Sequence, residues 1–153
     1  MEKFFVITNA NKDTDLKVTE RIQNYLTSHN ARCQVFVDNL CEQENESHLD
    51  IPKDTQCILV LGGDGTMLQA ARENLNTDIS MIGINMGTKG YLTEIEVGSL
   101  EDALESLLKD EYHIESRMML NGVIHKSGEK MPPMCALNEI SITRKGSLAV
   151  IHY

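Results

Sequence analysis

Cys57-Ile-Leu-Val-Leu-Gly-Gly-Asp-Gly-Thr66 is the stretch whose reading decides the fold. Five consecutive apolar residues bounded by glycine predict a short strand covered on both faces. The glycine-dense turn at residues 62–66 leads into residues 67–74, whose pattern predicts a helix. Three glycines around one aspartate allow a tight bend and positive φ, so that backbone N–H groups can converge on an anion with no Cβ atoms in the way. Thr66 and Gln69 have T-x-x-Q spacing, which predicts a capping box at the start of that helix.

Outward from this turn the same alternation recurs. Residues 3–8 read as a strand followed by a polar loop. Residues 14–29 place Val18, Ile22, Tyr25 and Leu26 at helical spacing, with charged residues on the other face. Residues 33–37 read as a second strand and residues 80–84 as a further buried one. Ser99 opens a helix whose stripe is Leu100, Ala103, Leu104, Leu107 and Leu108, and Ser99 with Asp102 resembles a capping box. Strand, helix, strand, strand, helix, strand, helix predicts a doubly wound α/β domain with a mostly parallel sheet, in which ligands bind at the carboxyl ends of the strands. After Asp110, residues 113–126 and 135–144 suggest longer antiparallel strands joined through the polar segment 127–133.

Composition narrows the classes. The 153 residues are 41% apolar, which argues for a folded domain of ordinary size. A formal charge of −9, from 14 basic against 23 acidic residues, argues against nucleic acid or an anionic membrane as partner. No apolar run approaches the ~20 residues of a membrane-spanning helix, and the N-terminus lacks a signal-peptide pattern. These features predict a soluble, cytoplasmic protein. Cys33, Cys41, Cys57 and Cys135 are isolated from one another, with no zinc spacing, and are expected as reduced thiols. Residues 38–54 hold six carboxylates against one lysine and read as a solvated connection.

The aspartate in the glycine turn carries the chemistry. A carboxylate among anion-binding amides repels phosphate unless it holds Mg²⁺ or accepts a proton from an attacking hydroxyl, and both are roles in phosphoryl transfer. The structural alternative is a turn aspartate bonded to its own backbone. The turn alone leaves the two readings open.

The segment Gly62-Gly-Asp-Gly-Thr66 resembles the signature shared by NAD kinases, by diacylglycerol and sphingosine lipid kinases and, more loosely, by phosphofructokinases. Ile82-Gly-Ile-Asn-Met-Gly-Thr-Lys-Gly-Tyr-Leu-Thr-Glu94 resembles the G-x-N-x-G-x-x-G-[FY]-L-[TA] block of NAD kinases, Ala136-Leu-Asn-Glu-Ile140 resembles their N-E motif, and Arg117-Met-Met-Leu120 resembles their R-x-x-L segment. The G-T-G-N-D block of lipid kinases is absent, and Lys89 stands where NAD kinases usually have an apolar residue. The resemblance implies ATP-dependent phosphorylation of the adenosine-ribose 2′-hydroxyl of NAD to NADP, with a divalent cation such as Mg²⁺. It implies that Asp64 orients or deprotonates that hydroxyl, that Gly63, Gly65 and Thr66 line the phosphate path, that Tyr91 packs beside the adenosine, and that Asn138 and Glu139 bond its adenine and ribose.

Each of these residues has a plainer reading: Tyr91 as a core aromatic, Asn138 and Glu139 as a polar pair at a strand edge, Asn85 as a turn cap. The alternatives in function are a lipid kinase catalytic domain or a noncatalytic nucleotide-binding module. The resemblance also implies domain limits: an α/β catalytic domain over 1–144 and the beginning of a β-rich domain over 145–153, the chain matching the amino-terminal half of an enzyme that is a homo-oligomer at full length. On that reading Leu148, Val150 and Ile151 lack their strand partners, and the isolated chain is expected to be inactive and to self-associate.

Overall fold

The structure, a computed structural model, describes residues 1–38, 49–75, 77–88 and 90–141. The chain divides into two compact units, Met1–Glu115 and Ser116–Tyr153.

The first unit is built in the order β1 (Lys3–Asn9), α1 (Lys17–Ser28), β2 (Arg32–Asp38), β3 (Cys57–Gly62), α2 (Asp64–Glu73), β4 (Ser80–Asn85), β5 (Ile95–Glu96), a 3₁₀ turn (Val97–Ser99) and α3 (Leu100–Leu108). The five strands form one parallel sheet in the order β2-β1-β3-β4-β5. β1 and β3 lie at its centre, in register from Phe4 opposite Cys57 to Thr8 opposite Leu61.

Alternate side chains of these two strands feed separate cores. Phe4 and Val6 of β1 join Cys57, Leu59 and Leu61 of β3 in one core with Ile22 and Leu26 of α1 and Leu100, Leu104 and Leu107 of α3. Phe5 and Ile7 join Ile58 and Val60 in the other, with Ala70 of α2. Helices therefore cover both faces, and this is why β3 is an unbroken apolar run. The doubly wound parallel α/β architecture expected from the sequence is the one observed. Because β1 has β2 on one side and β3 on the other, the chain reverses its direction of winding there. The carboxyl ends of β1 and β3 form the topological switch point where such sheets open a crevice.

Neither predicted capping box forms. α2 begins at Asp64 with Gly63 as N-cap and no side-chain cap bond. Thr66, already inside the helix, is buried and accepts a 3.1 Å hydrogen bond from Asn9 Nδ2, while Gln69 Nε2 donates to Glu73 Oε1. Ser99 likewise closes a 3₁₀ turn and makes no side-chain cap bond to α3. α1 is capped from further upstream than its pattern suggests. Asp13 Oδ2 accepts from the backbone N–H and the hydroxyl of Thr19, Asp13 Oδ1 accepts from Val18 N–H, and Leu16 takes a left-handed conformation at φ 52° to allow it.

The second unit contains two short antiparallel ladders. β6 (Leu120–Gly122) pairs with β9 (Met134–Ala136), and β7 (His125–Lys126) pairs with β8 (Glu129–Lys130). Ser127 at φ 53° and Gly128 at φ 84° form the two-residue turn of the second ladder, and positive φ at both positions suits the twist of a tight hairpin. The antiparallel pairing is there, but over the described residues 113–126 and 135–141 the longer strands expected are short pieces. Ile114, Met118 and Ile124 remain exposed, and without a buried face nothing fixes an extended register. The expected β-rich start at 145–153, with Leu148, Val150 and Ile151, lies outside the described residues, as do Cys41, Lys89 and most of the acidic connection. Cys33, Cys57 and Cys135 are free thiols, and burial pushes the Cys57 thiol up to about 12. No helix among the described residues is long and apolar enough to cross a membrane.

Two-sided burial makes β3 sensitive to the loss of any of its side chains. Leu59→Ala, at a fully buried position, is expected to cost about 2–5 kcal/mol in urea unfolding. Leu75→Ala, at an exposed position, should fall within about 0.5 kcal/mol of wild type.

Candidate active site at the carboxyl edge of the sheet

The glycine turn lies at the switch point, and three neighbouring segments close around it. The backbone of Met86, just past β4, donates to Gly62 O at 2.8 Å and ties the two strand ends together. Asn9 at the end of β1 reaches across to Thr66. A Cβ on Gly62 would overlap the Thr66 side chain, so glycine is required there for the buried threonine to sit against the strand end. Gly63 and Gly65 face open space instead, with nothing within 4 Å of where a Cβ would project.

Asp64 is the first residue of α2, and its carboxylate is held by a different loop. Oδ2 accepts a 2.8 Å hydrogen bond from Tyr91 N–H, and Oδ1 accepts one of 3.0 Å from Leu92 N–H. These amides, with that of Thr93, hold the carboxyl below its usual range, the Tyr91 contribution being largest. Asp64 therefore does not bond its own turn. The structural alternative becomes a specific one, a clasp between the glycine turn and the loop leading into β5.

Tyr91 is 94% exposed, which removes the core-aromatic reading. The main-chain amide of Tyr91 binds Asp64 while its ring stands free in solvent. The structure thus brings Gly63, Asp64, Gly65, Thr66 and Tyr91 together at one edge of the first unit. Asn138 and Glu139 belong to the second unit, where both are exposed and Glu139 Oε1 accepts from Ser141 Oγ at 3.1 Å. Asn85 Nδ2 donates to Gly87 O at 3.4 Å, the contact of a turn cap, while its Oδ1 is buried without a partner.

Sequence reasoning missed Asn9 and Gly90. A polar residue closing an apolar strand was the available signal for Asn9. Gly90 stood in the sequence only as the last glycine of the 82–94 block, with no role attached, because that role depends on a residue 26 positions earlier: a Cβ there would fall on the Asp64 carboxylate. A cleft of about 880 Å³ opens elsewhere, at the amino ends of the strands between Glu2, Gln56, Asp78, Ser80 and Tyr112, and none of the candidate site residues lines it.

No group of three or more His, Cys, Asp or Glu side chains among the described residues could form a metal cage.

A parallel sheet with a glycine turn and an aspartate at its switch point defines a doubly wound α/β domain with a candidate site at its carboxyl edge. Residues 4–112 match the ATP-NAD kinase N-terminal domain, and the chain belongs to that family. It is 42% identical to the NAD kinase of Lachnospira eligens over 163 aligned positions, covering all of this chain and 54% of that protein. It is 44% identical to the NAD kinase of Agathobacter rectalis, covering 99% of this chain and 53% of that one. The crystal structure of yeast NADH kinase complexed with NADH shares the fold at a TM-score of 0.63 and 17% identity, covering 88% of this chain and 46% of the yeast chain. The chain spans about half the length of the curated relatives it matches. The lipid kinase alternative is not favoured by these relatives.

The buried Asn9–Thr66 bond gives the site a stability test. Thr66→Val keeps the shape but leaves Asn9 Nδ2 without its acceptor and should cost about 1–3 kcal/mol in urea unfolding. Gln69→Ala should change stability by less than about 0.5 kcal/mol. A larger loss at Gln69 than at Thr66 would restore the capping box.

Proposed function

We propose that the protein carrying this chain is an NAD kinase, transferring the γ-phosphoryl group of ATP to the adenosine-ribose 2′-hydroxyl of NAD, and that this chain supplies its α/β catalytic part. The observation that carries the reading is the ionised Asp64 carboxylate fixed at the switch point beside two open glycines. Curated relatives named NAD kinase, matched along the whole chain, support the choice of acceptor.

The chemistry follows from that geometry. A carboxylate below its usual range is ionised at neutral pH and accepts a hydrogen bond from the acceptor hydroxyl, aiming that oxygen at phosphorus. The first N–H groups of α2 have no intrahelical acceptors, and no side chain caps them. Together with the positive end of the helix dipole they favour phosphate oxygens, and Gly63 and Gly65 let those oxygens approach the backbone. Thr66 in this arrangement is a support, tied to Asn9 beneath the turn. The exposed Tyr91 ring offers a flat face to adenosine. Asn138 supplies a donor and an acceptor for adenine, and Glu139 accepts from ribose hydroxyls. The cation enters as substrate, on the phosphates of ATP, and the full-length enzyme is a homo-oligomer in the cytoplasm.

At the full length of the relatives, the protein given ATP, Mg²⁺ and NAD should form NADP, and given diacylglycerol or sphingosine should phosphorylate neither. Asp64→Asn should lower kcat by roughly 10²- to 10⁴-fold without unfolding the protein. Wild-type turnover in that variant, or lipid phosphorylation without NADP, would refute the assignment.

A further inference from the structure

We propose that Gly90, with the main-chain amides of Tyr91 and Leu92, is the positioning element that aims Asp64. The inference rests on the reading of Asp64 as the group that meets the acceptor hydroxyl, and adds the part of the chain that sets its direction.

An aspartate side chain has two torsions. One donor to one oxygen leaves the carboxylate free to swing about that bond, whereas a donor to each oxygen fixes both its position and its plane. Tyr91 N–H and Leu92 N–H supply those two donors at 2.8 and 3.0 Å. They are consecutive backbone groups, so their spacing is set by the chain and does not depend on rotamers. Each carboxylate oxygen keeps a second lone-pair direction, which leaves room for a substrate hydroxyl without breaking either bond.

The approach needs residue 90 to lack a side chain. A Cβ at Gly90 would lie far inside contact distance of Asp64 Oδ1 and Cγ. Positive φ is not the reason for glycine here, since among the described glycines only Gly87 and Gly128 have it. The requirement is space alone. The atoms a methyl group would meet are the free end of a short side chain and not backbone, so Gly90→Ala is absorbed by turning Asp64 away from the amides. The substitution therefore separates the direction of the carboxylate from the integrity of the fold, which a change at Asp64 itself does not.

The clamp can be read without any substrate. In the 153-residue chain, carbon-detected NMR titration should show Asp64 ionising below the ordinary aspartate range, with the amide protons of Tyr91 and Leu92 shifting at that same midpoint. In Gly90→Ala the midpoint should rise into the ordinary range and the two amides should stop responding, while the urea midpoint stays close to wild type at a pH below the Asp64 titration and falls at pH 7 only by as much as that shift accounts for. Amides in wild type that ignore the Asp64 titration would overturn the proposal, and this arm decides the matter if the variant does not fold.

In the NADP-forming enzyme, Gly90→Ala should lower kcat about 10- to 100-fold, the scale of a misaimed reacting group, with KM for NAD within about twofold. The acid limb of its kcat/KM profile should move to higher pH, because a carboxyl released from its donors protonates sooner as pH falls. An unchanged kcat beside a shifted titration would make the clasp structural only. A wild-type enzyme that forms no NADP would refute the proposed reaction, and the clamp would then stand or fall on the titration alone.

Discussion

β3 has no solvent-facing side, and the rest of the first unit follows from that constraint. Its even and odd side chains must each be covered. The neighbouring strands do not do this, so helices must return over both faces, and parallel strands with helical crossovers are the arrangement that supplies them. Once the sheet is parallel, all its strands end at one edge, and the loops after β1, β3 and β4 meet there. Polar residues excluded from the two cores collect in the same place: Asn9 after Ile7 and Thr8, Gly62 to Asp64 after Leu61, Asn85 after Ile84. The position of the candidate site is thus a result of how the cores close.

The glycines at that edge divide the work by what surrounds them. Gly62 gives way to the Thr66 side chain and Gly83 to the main chain and side chain at Thr93, and both serve packing. Gly63 and Gly65 face open space and leave the backbone approachable. The G-G-D-G-T sequence therefore joins a packing requirement at its first glycine to an access requirement at the next two. A single motif can look uniform in sequence while its members answer to different forces.

Much of the first unit was legible because its signals are local or periodic. Residues 57–61 carry their burial in composition, and Leu100, Leu104 and Leu107 carry theirs in spacing. The capping boxes were misread for a physical reason: T-x-x-Q and S-x-x-D describe what a helix end can do in isolation, and at Thr66 a partner 57 residues away, Asn9, took the hydroxyl instead. The clasp on Asp64 was not legible, since the donors are main-chain N–H groups that every residue but proline possesses and no side-chain type reports them. Tyr91 was selected for its ring, yet in the structure its amide makes the contact. The segment after residue 112 was overread because its apolar residues suggest strands, while Met118 and Ile124 find no covering layer among the described residues.

The amides that fix Asp64 also make it a weaker base, and the two effects have to be weighed together. Four influences favour its charged form: the amides of Tyr91, Leu92 and Thr93 and the amino end of α2. A neutral, proton-donating Asp64 is therefore excluded at physiological pH, and strong general-base behaviour is reduced. For the proposed reaction that loss matters little. Phosphoryl transfer passes through a loose transition state in which the attacking oxygen carries little bond to phosphorus, so early removal of its proton contributes less than the alignment of oxygen, phosphorus and leaving group. A carboxylate held at both oxygens gives up basicity that this chemistry does not require and gains the direction that it does, which favours orientation over deprotonation as the work of Asp64.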